Sequence, residues 1–508
     1  MRINCIWTAF TRRCFALLLL AAATLLAPAC TTNPATGQSS FTAFMSPQDE
    51  KRVGAEEHPK LVEQFGGTYA DASLAAYVNR VGQAVAKHAE IQDVSYTFTV
   101  LDDDDINAFA LPGGYVHVTR GLLTLASNEA ELAGVLGHEI GHVTARHAAQ
   151  RYSSATAANL GIGVLSILGA VAGLPSQITQ AAGSGLQTGA AMYLQKYSRD
   201  QEMEADRLGI RYMTAAGYDP EAMGTFFRKL DAWTRLEASM TGDGEAVDRF
   251  DIMASHPRTG DRVQQATQVA ALARRPGEHL DQDAYLKAID GVLFGDSPAQ
   301  GFRRGREFIH PQLRIAFTVP PGFVLKNTAQ QVVAVGPNGA VVVFDAERRQ
   351  QIARQVPDMA TYLTRAWASN VPLASVGETT IDGAEAASGV ARLQTRGGGT
   401  VIARLVAIRG GPDRIWRFAF LAAPADAQRL QGEFQQTAMS FRLLTAAQAA
   451  AVKPWRIDVV TVQAGDTPER LAGRMAMDAY RLETFRAING LDASSRLTPG
   501  QQVKIVVG

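Results

Sequence analysis

The 508 residues divide into a mainly helical N-terminal half carrying a small β-sheet, an α+β middle domain and a small βααβ module at the C-terminus. Three observations predict this multidomain class. The chain is too long for one ordinary core. Its apolar periodicity changes from helical to alternating across a Gly/Pro-rich passage at 291–305. An Ala-rich stretch at 445–453 then precedes a final strand–helix–helix–strand pattern. A hydrophobic fraction of 46% with 19% charged residues fits a folded chain rather than a disordered one.

The first 29 residues read as a targeting segment. Arginines precede an apolar run from Phe15 to Leu26 that is too short and wrongly flanked for a stable span. The run ends in Leu-Leu-Ala-Pro-Ala-Cys, residues 25 to 30, which resembles the lipobox of bacterial lipoproteins, although that family prefers Leu where Ala27 stands. The resemblance implies lipidation of Cys30, membrane attachment through it and a periplasmic location at the outer membrane; ordinary secretion is the alternative. All three cysteines (Cys5, Cys14, Cys30) lie at or before this point, so the mature chain has no disulfide to form. Removing the segment takes away Arg2, Arg12 and Arg13 and leaves 46 basic against 49 acidic residues. No bulk charge points to nucleic acid.

Residues 30–45 are polar and read as a tether. Helical periodicity runs from Ser46 through His88, with Leu61, Val62 and Phe65 and then Leu74, Tyr77, Val78, Val81 and Val85 on the apolar face. A strand over 94–101 leads to the acidic turn 102–105. Ala108-Phe109-Ala110-Leu111 is a second strand, stopped by Pro112-Gly113-Gly114, and 115–119 a third. Helix returns from Asn128 through His147 and over about 191–216. No charged residue occurs between Arg151 and Lys196. A stretch at 155–174 is long enough to cross a bilayer, but one crossing would separate His138 from Glu202. The reading retained is buried helices over a cleft, or a surface touching lipid.

Beyond the connector, 276–305, the domain 306–444 shows strands at 313–319, 332–335, 340–344, 401–408 and 415–421, with helices at 359–369 and 425–439. It looks faintly like the small α/β sandwich of PsbP-like domains. A linker at 445–457 leads to the last module, 458–508.

Chemistry concentrates in His138-Glu139-Ile140-Gly141-His142. Histidines four apart on a helix project from one face, so two imidazoles can meet one zinc ion at about 2.0–2.1 Å. Glu139 reaches the same place without occupying a ligand position, as a general base for water requires. A catalytic zinc of this type takes a third protein ligand and keeps a fourth position open. The candidate lies in Ser198-Arg-Asp-Gln-Glu202-Met-Glu204-Ala-Asp206. Four residues apart, Glu202 and Asp206 share a helical face, whereas Glu204 is rotated about 200° from each and points elsewhere. Replacing Glu204 is therefore expected to leave the site close to wild type.

Taken together these stretches resemble the HtpX and CAAX-prenyl-protease family of zinc metallopeptidases. Asn107-Ala-Phe-Ala-Leu-Pro-Gly-Gly-Tyr115, Arg120-Gly-Leu-Leu123 and Ser255-His-Pro257 with Arg262 match it too, over residues 46–265 of a domain that spans 46–275. The nearest flavour is the periplasmic, lipid-anchored BepA-like branch. The resemblance implies a gluzincin-type domain holding one Zn2+ per chain through His138, His142 and Glu202, with Glu139 as base. It also implies that Asp206 holds the far N–H of a ligand histidine. His256 and Arg262 are candidates to stabilise the oxyanion; His256 alternatively caps the metal at rest, and Arg262 equally suits an ion pair. Ala108 to Leu111 offers an edge on which an extended substrate adds as a strand, or else is a core strand. His147, on the same helix, reads as a structural histidine.

Val460-Thr-Val-Gln-Ala-Gly-Asp-Thr467, Ile488-Asn-Gly-Leu491 and Leu497-Thr-Pro-Gly-Gln501 resemble LysM. That resemblance implies binding of N-acetylglucosamine chains, here peptidoglycan, unless the module only packs on its neighbours. Its removal is expected to leave peptidase activity intact. The function implied is peptide-bond hydrolysis of misfolded or unassembled envelope proteins. The rival is a zinc-stabilised envelope scaffold or chaperone, which would not need Glu139.

Overall fold

The computed structural model describes residues 30–91, 93–157, 196–241, 260–348, 356–395, 398–410 and 414–508. The targeting segment, most of the uncharged stretch and His256 lie outside them.

The first described element is a hairpin, β1 (Cys30–Thr32) paired antiparallel with β2 (Ser39–Phe41). The expected tether is therefore a structured piece of the N-terminal half. Arg211 donates to the Ala35 carbonyl, and the Phe44 N–H donates to Ser153 Oγ at 3.1 Å. Helix α1 (Pro47–Gln64) follows, opened by a capping box between Ser46 and Asp49 with Pro47 at its first position. Helix α2 (Ala72–Ala86) is capped by Asp71 and turns Leu74, Val78, Val81 and Val85 inward, the face its periodicity predicts.

The small sheet has the order β3 (Thr97–Leu101), β5 (Tyr115–Thr119), β4 (Ala108–Leu111), with β3–β5 parallel and β5–β4 antiparallel. Strand β4 is thus an edge, as the substrate reading requires, yet all four of its residues are buried. Helix α3 (Arg120–Leu125) leads into α4 (Glu129–Thr144), which Asn128 caps and which is buried along nearly its whole length. After a turn the chain continues in helix to residue 157. Helices α5 (Arg199–Ala215), α6 (Glu221–Thr241), α7 (Gly260–Ala273) and α8 (Gln282–Ile289) complete the half. The expected connector proves partly integral: Tyr285 in α8 is fully buried and donates to the Leu123 carbonyl at 2.7 Å. Strand β6 (Leu293–Phe294) follows it, then β7 (Phe302–Arg304), β8 (Glu307–His310) and β9 (Ile315–Thr318), which form a four-stranded sheet with the later β17 (Arg442–Leu443).

The middle domain is built on a seven-stranded antiparallel sheet in the order β10-β11-β12-β16-β15-β14-β13. Its strands are β10 (Val324–Asn327), β11 (Val332–Val335), β12 (Val341–Arg348), β13 (Leu373–Ile381), β14 (Ala384–Gln394), β15 (Thr400–Gly410) and β16 (Arg414–Ala422). An aromatic core of Phe317, Phe344, Phe418 and Phe441 fills one face, closed by Phe434 on the helix 431–439. Met359 and Tyr362 cover the other face. Strands β9, β11, β12, β15 and β16 and both helices fall where the sequence pattern placed them; β8, β10, β13, β14 and β17 were missed.

At the C-terminus β18 (Trp455–Thr461), two short helices (Pro468–Ala472, Arg481–Asn489) and β19 (Gln502–Val507) follow in order, the strands antiparallel. Here β18 also pairs with β6, Trp455 opposite Phe294. Ile457, Phe485, Ile488, Ile505 and Val506 belong to the same apolar cluster as Leu122, Leu132 and Tyr285. The module is joined to the helical N-terminal half through a shared core, in line with the packing alternative.

Candidate metal centre

Two helices bring the site together. Along α4, glycines 137 and 141 lie one turn apart and leave its surface nearly flat. Against them lie Ala205 and Gly209 of α5. A Cβ on Gly209 would stand 2.7 Å from the His138 backbone nitrogen, and one on Gly141 would stand 3.0 Å from the Ala205 carbonyl oxygen. The first is closer than real Cβ contacts permit and the second is tighter than most of them, so the helices touch backbone to backbone. That close approach sets Glu202, one turn before Asp206 on α5, directly against the two histidines of α4.

The three expected ligands converge. Nε2 of His138 lies 3.0 Å from Nε2 of His142. Glu202 places one carboxylate oxygen 3.5 Å from the first and the other 3.6 Å from the second. Ligands about 2.0–2.1 Å from a tetrahedral ion stand about 3.4 Å from one another. Two imidazole nitrogens and a carboxylate, all buried, are moreover the donor set that zinc takes at catalytic sites. The residues fit a zinc ion.

Each ligand is held from behind. Nδ1 of His138 is 2.9 Å from Oδ1 of Asp206, the partnership the resemblance implied. Arg262 grips Asp206 with two nitrogens, Nε to Oδ2 at 2.8 Å and Nη2 to Oδ1 at 2.7 Å. Its third nitrogen is 2.6 Å from Glu202 Oε2. Burial would raise Asp206, but Arg262 and then His138 hold its carboxyl below the usual range. For His138, burial lowers the pKa while Asp206 and Glu202 raise it, to about 10. The two carboxylates make this a place for positive charge. Arg262, read from the sequence as an oxyanion donor or an ion pair, is an ion pair.

Glu139 is 2% exposed. Its charge acts on both Tyr197 and Arg262, which places it within the same buried cluster. Tyr197 stacks on the His142 ring with centroids 3.9 Å apart and was not foreseen. Burial pushes its hydroxyl up to about 12. Glu204 points away from the metal ligands, as the helical arithmetic required, but it is not idle: Nε2 of His147 lies 3.1 Å from its Oε2. Beside the site a cavity of about 340 Å3 is lined by Ala110, Leu111, His142, Arg146 and Tyr197 together with Thr32 of the N-terminal hairpin.

Comparison with known proteins agrees with this geometry. Residues 72–270 match Peptidase family M48, and residues 460–506 match the LysM domain. The chain carries an M48 peptidase domain. Over 219 residues it is 33% identical to the beta-barrel assembly-enhancing protease of Escherichia coli K12, covering 42% of this chain and 43% of that protein. The mitochondrial metalloendopeptidase OMA1 of Schizosaccharomyces pombe is 28% identical over 42% of this chain and 59% of its own. The chain therefore spans less than half of the E. coli relative. Among solved structures, PsbP from Synechocystis sp. PCC 6803 aligns at 12% identity over 28% of this chain and 93% of its own, with a TM-score of 0.23 that is too low to assign a fold.

The M48 match encloses His138, Glu139, His142, Glu202, Asp206, Arg262 and the whole of β4. Among the described residues no helix is long and apolar enough to cross a membrane.

Proposed function

We propose that the chain is a gluzincin-type zinc metalloendopeptidase. The observation that carries this is the convergence of His138, His142 and Glu202 at tetrahedral spacing, with Glu139, the residue after His138, buried as well. His138, His142 and Glu202 would hold a zinc ion there, which would supply Lewis acidity toward a carbonyl and lower the pKa of water toward neutrality. Glu139 then accepts the water's proton and returns it to the departing amine, the two halves of general acid–base catalysis. Arg262 and Asp206 keep Glu202 and His138 in register throughout. His256 remains our candidate for stabilising the oxyanion. The edge of β4 beside the cavity supports strand-wise docking of an extended polypeptide, with Ala108 to Leu111 supplying backbone donors and acceptors.

Finer parts of the reading rest on likeness. The E. coli relative is named for assisting β-barrel assembly, and we carry over envelope protein quality control as the task. The LysM domain supports attachment to peptidoglycan, and Cys30 attachment to the outer membrane from the periplasmic side. A zinc-stabilised chaperone is the competing reading, and Glu139 decides between them. Glu139→Gln should retain fold and zinc while losing nearly all cleavage of an unfolded protein such as casein. Substantial turnover by that variant at full zinc loading would refute the mechanism; zinc-loaded wild type that never cleaves would favour the chaperone.

A further inference from the structure

We propose that His147 and Glu204 form a relay that positions the metal ligand His142, an inference that rests on reading the centre as a zinc site. Nδ1 of His142 lies 2.8 Å from Nδ1 of His147. On its other side, Nε2 of His147 lies 3.1 Å from Oε2 of Glu204. Asn33 Nδ2 then donates to Oε1 of Glu204 at 3.1 Å, while its own Oδ1 accepts from the Ala35 N–H at 2.9 Å.

The protons in this chain have one consistent arrangement. A carboxylate only accepts, so His147 carries its proton on Nε2 and presents a bare Nδ1. His142 must then carry its proton on Nδ1, which leaves its Nε2 lone pair facing His138 and Glu202. The relay thus fixes in His142 the tautomer that a metal ligand needs, as an outer hydrogen bond generally does for ligating histidines. His138 gets the same service from Asp206 directly. The two ligands are therefore steered by different devices, a carboxylate for one and a histidine–carboxylate pair for the other.

Backbone geometry builds the relay. Five residues on from His142, a continuing helix would turn His147 about 140° away from it. Instead α4 ends at Thr144, and Arg146 adopts φ 57°, a left-handed conformation uncommon for such a side chain. Arg146 is held there by Glu50 at 3.0 Å and by the Met45 carbonyl at 2.9 Å. The turn swings His147, which is fully buried, back onto His142. Because Asn33 sits three residues after Cys30, the relay also ties the segment next to the proposed anchor to the metal centre.

Two variants of similar bulk test this in the full-length chain. His147→Gln keeps an acceptor for His142 and a donor for Glu204, whereas His147→Met keeps only volume. Zinc affinity measured by chelator competition should fall roughly 10–100-fold in His147→Met and recover most of the way in His147→Gln. Cobalt(II) substituted for zinc should show shifted visible bands in the Met variant alone. Glu204→Leu should follow His147→Met, and kcat should fall more than KM rises in both. Equal zinc affinity and cobalt spectra in wild type and His147→Met would overturn the relay. His138→Ala serves as the separate check on the metal reading: zinc retained there would sink that reading itself.

Discussion

The ammonium of Lys504 donates to the carbonyl oxygen of Ala126 at 2.6 Å, and to those of Thr124 and Leu125 at 2.8 and 3.0 Å. These carbonyls end α3, just ahead of Asn128, the cap of the helix bearing His138 and His142. Burial, and then Lys229, press the pKa of Lys504 downward, but three acceptors match the three N–H bonds of its charged form. A cation at a helix C-terminus is favourable besides. The LysM domain thus caps a helix of the peptidase body, and these contacts argue against its removal without harm. Lys504→Met should cost roughly 2–4 kcal/mol in chemical denaturation, and deletion of 459–508 should leave an insoluble or inactive product. A truncated chain with wild-type activity and melting temperature would show the module to be independent after all.

Gly209 has the least room of the glycines between α4 and α5. Gly209→Ala places a methyl group 2.7 Å from the His138 nitrogen, so the helices must part and Glu202 must retreat from the histidines. Overpacking of this kind costs about 1–3 kcal/mol, and zinc affinity should drop with it. Gly224→Ala is the control, since its Cβ would meet side-chain atoms at ordinary contact distance, Thr267 Oγ1 at 3.4 Å and Arg228 Nη1 at 3.6 Å. Equal zinc affinity in both variants would mean the helix contact does not set the ligand geometry.

Arg262→Leu separates two roles. With the guanidinium gone, Asp206 and Glu202 stay buried without their cation, a loss worth about 3–5 kcal/mol when one partner of a buried pair is removed. We expect lower stability of the metal-free protein together with poor zinc retention. Unchanged stability and zinc content with kcat alone reduced would restore the oxyanion role considered from the sequence.

Much of the site was legible because it obeys helical arithmetic. His138, His142, Glu202 and Asp206 lie at four-residue spacings on two helices, and their buried faces follow from that spacing alone. Strands β4 and β5 were legible because proline and glycine stop them. What stayed hidden depends on backbone features without a sequence signature. The left-handed turn at Arg146 brings His147 against His142, where Glu204 of α5 meets it, although arginine gives no hint of such a turn. Glu204→Ala, expected to be silent, should now impair zinc binding. The seam of Gly137, Gly141, Ala205 and Gly209 was readable as small residues four apart and was overlooked. Strand β13 was missed because seven of its nine residues are exposed, which leaves no apolar alternation to read.

His117 provides the last test, through pH. It is buried on β5 opposite Phe109 of β4, the two rings stacked at 4.7 Å, with Nε2 2.9 Å from Nδ1 of His58. Burial, and then the nearby His58, lower its pKa from the ordinary 6.5 to about 3. Burial lowers His58 as well. A histidine depressed in this way binds its proton in the unfolded chain long before it does in the folded one. Its contribution to stability is therefore intact above about pH 6.5 and shrinks as pH falls toward 3, by roughly 1.4 kcal/mol per pH unit. His117→Phe keeps a ring against Phe109 and removes the proton site. With metal stripped from both proteins by EDTA, the wild type should lose more stability than the variant between pH 7 and pH 5, in urea titrations at each pH. Parallel losses would show that His117 is not the group that takes up the proton.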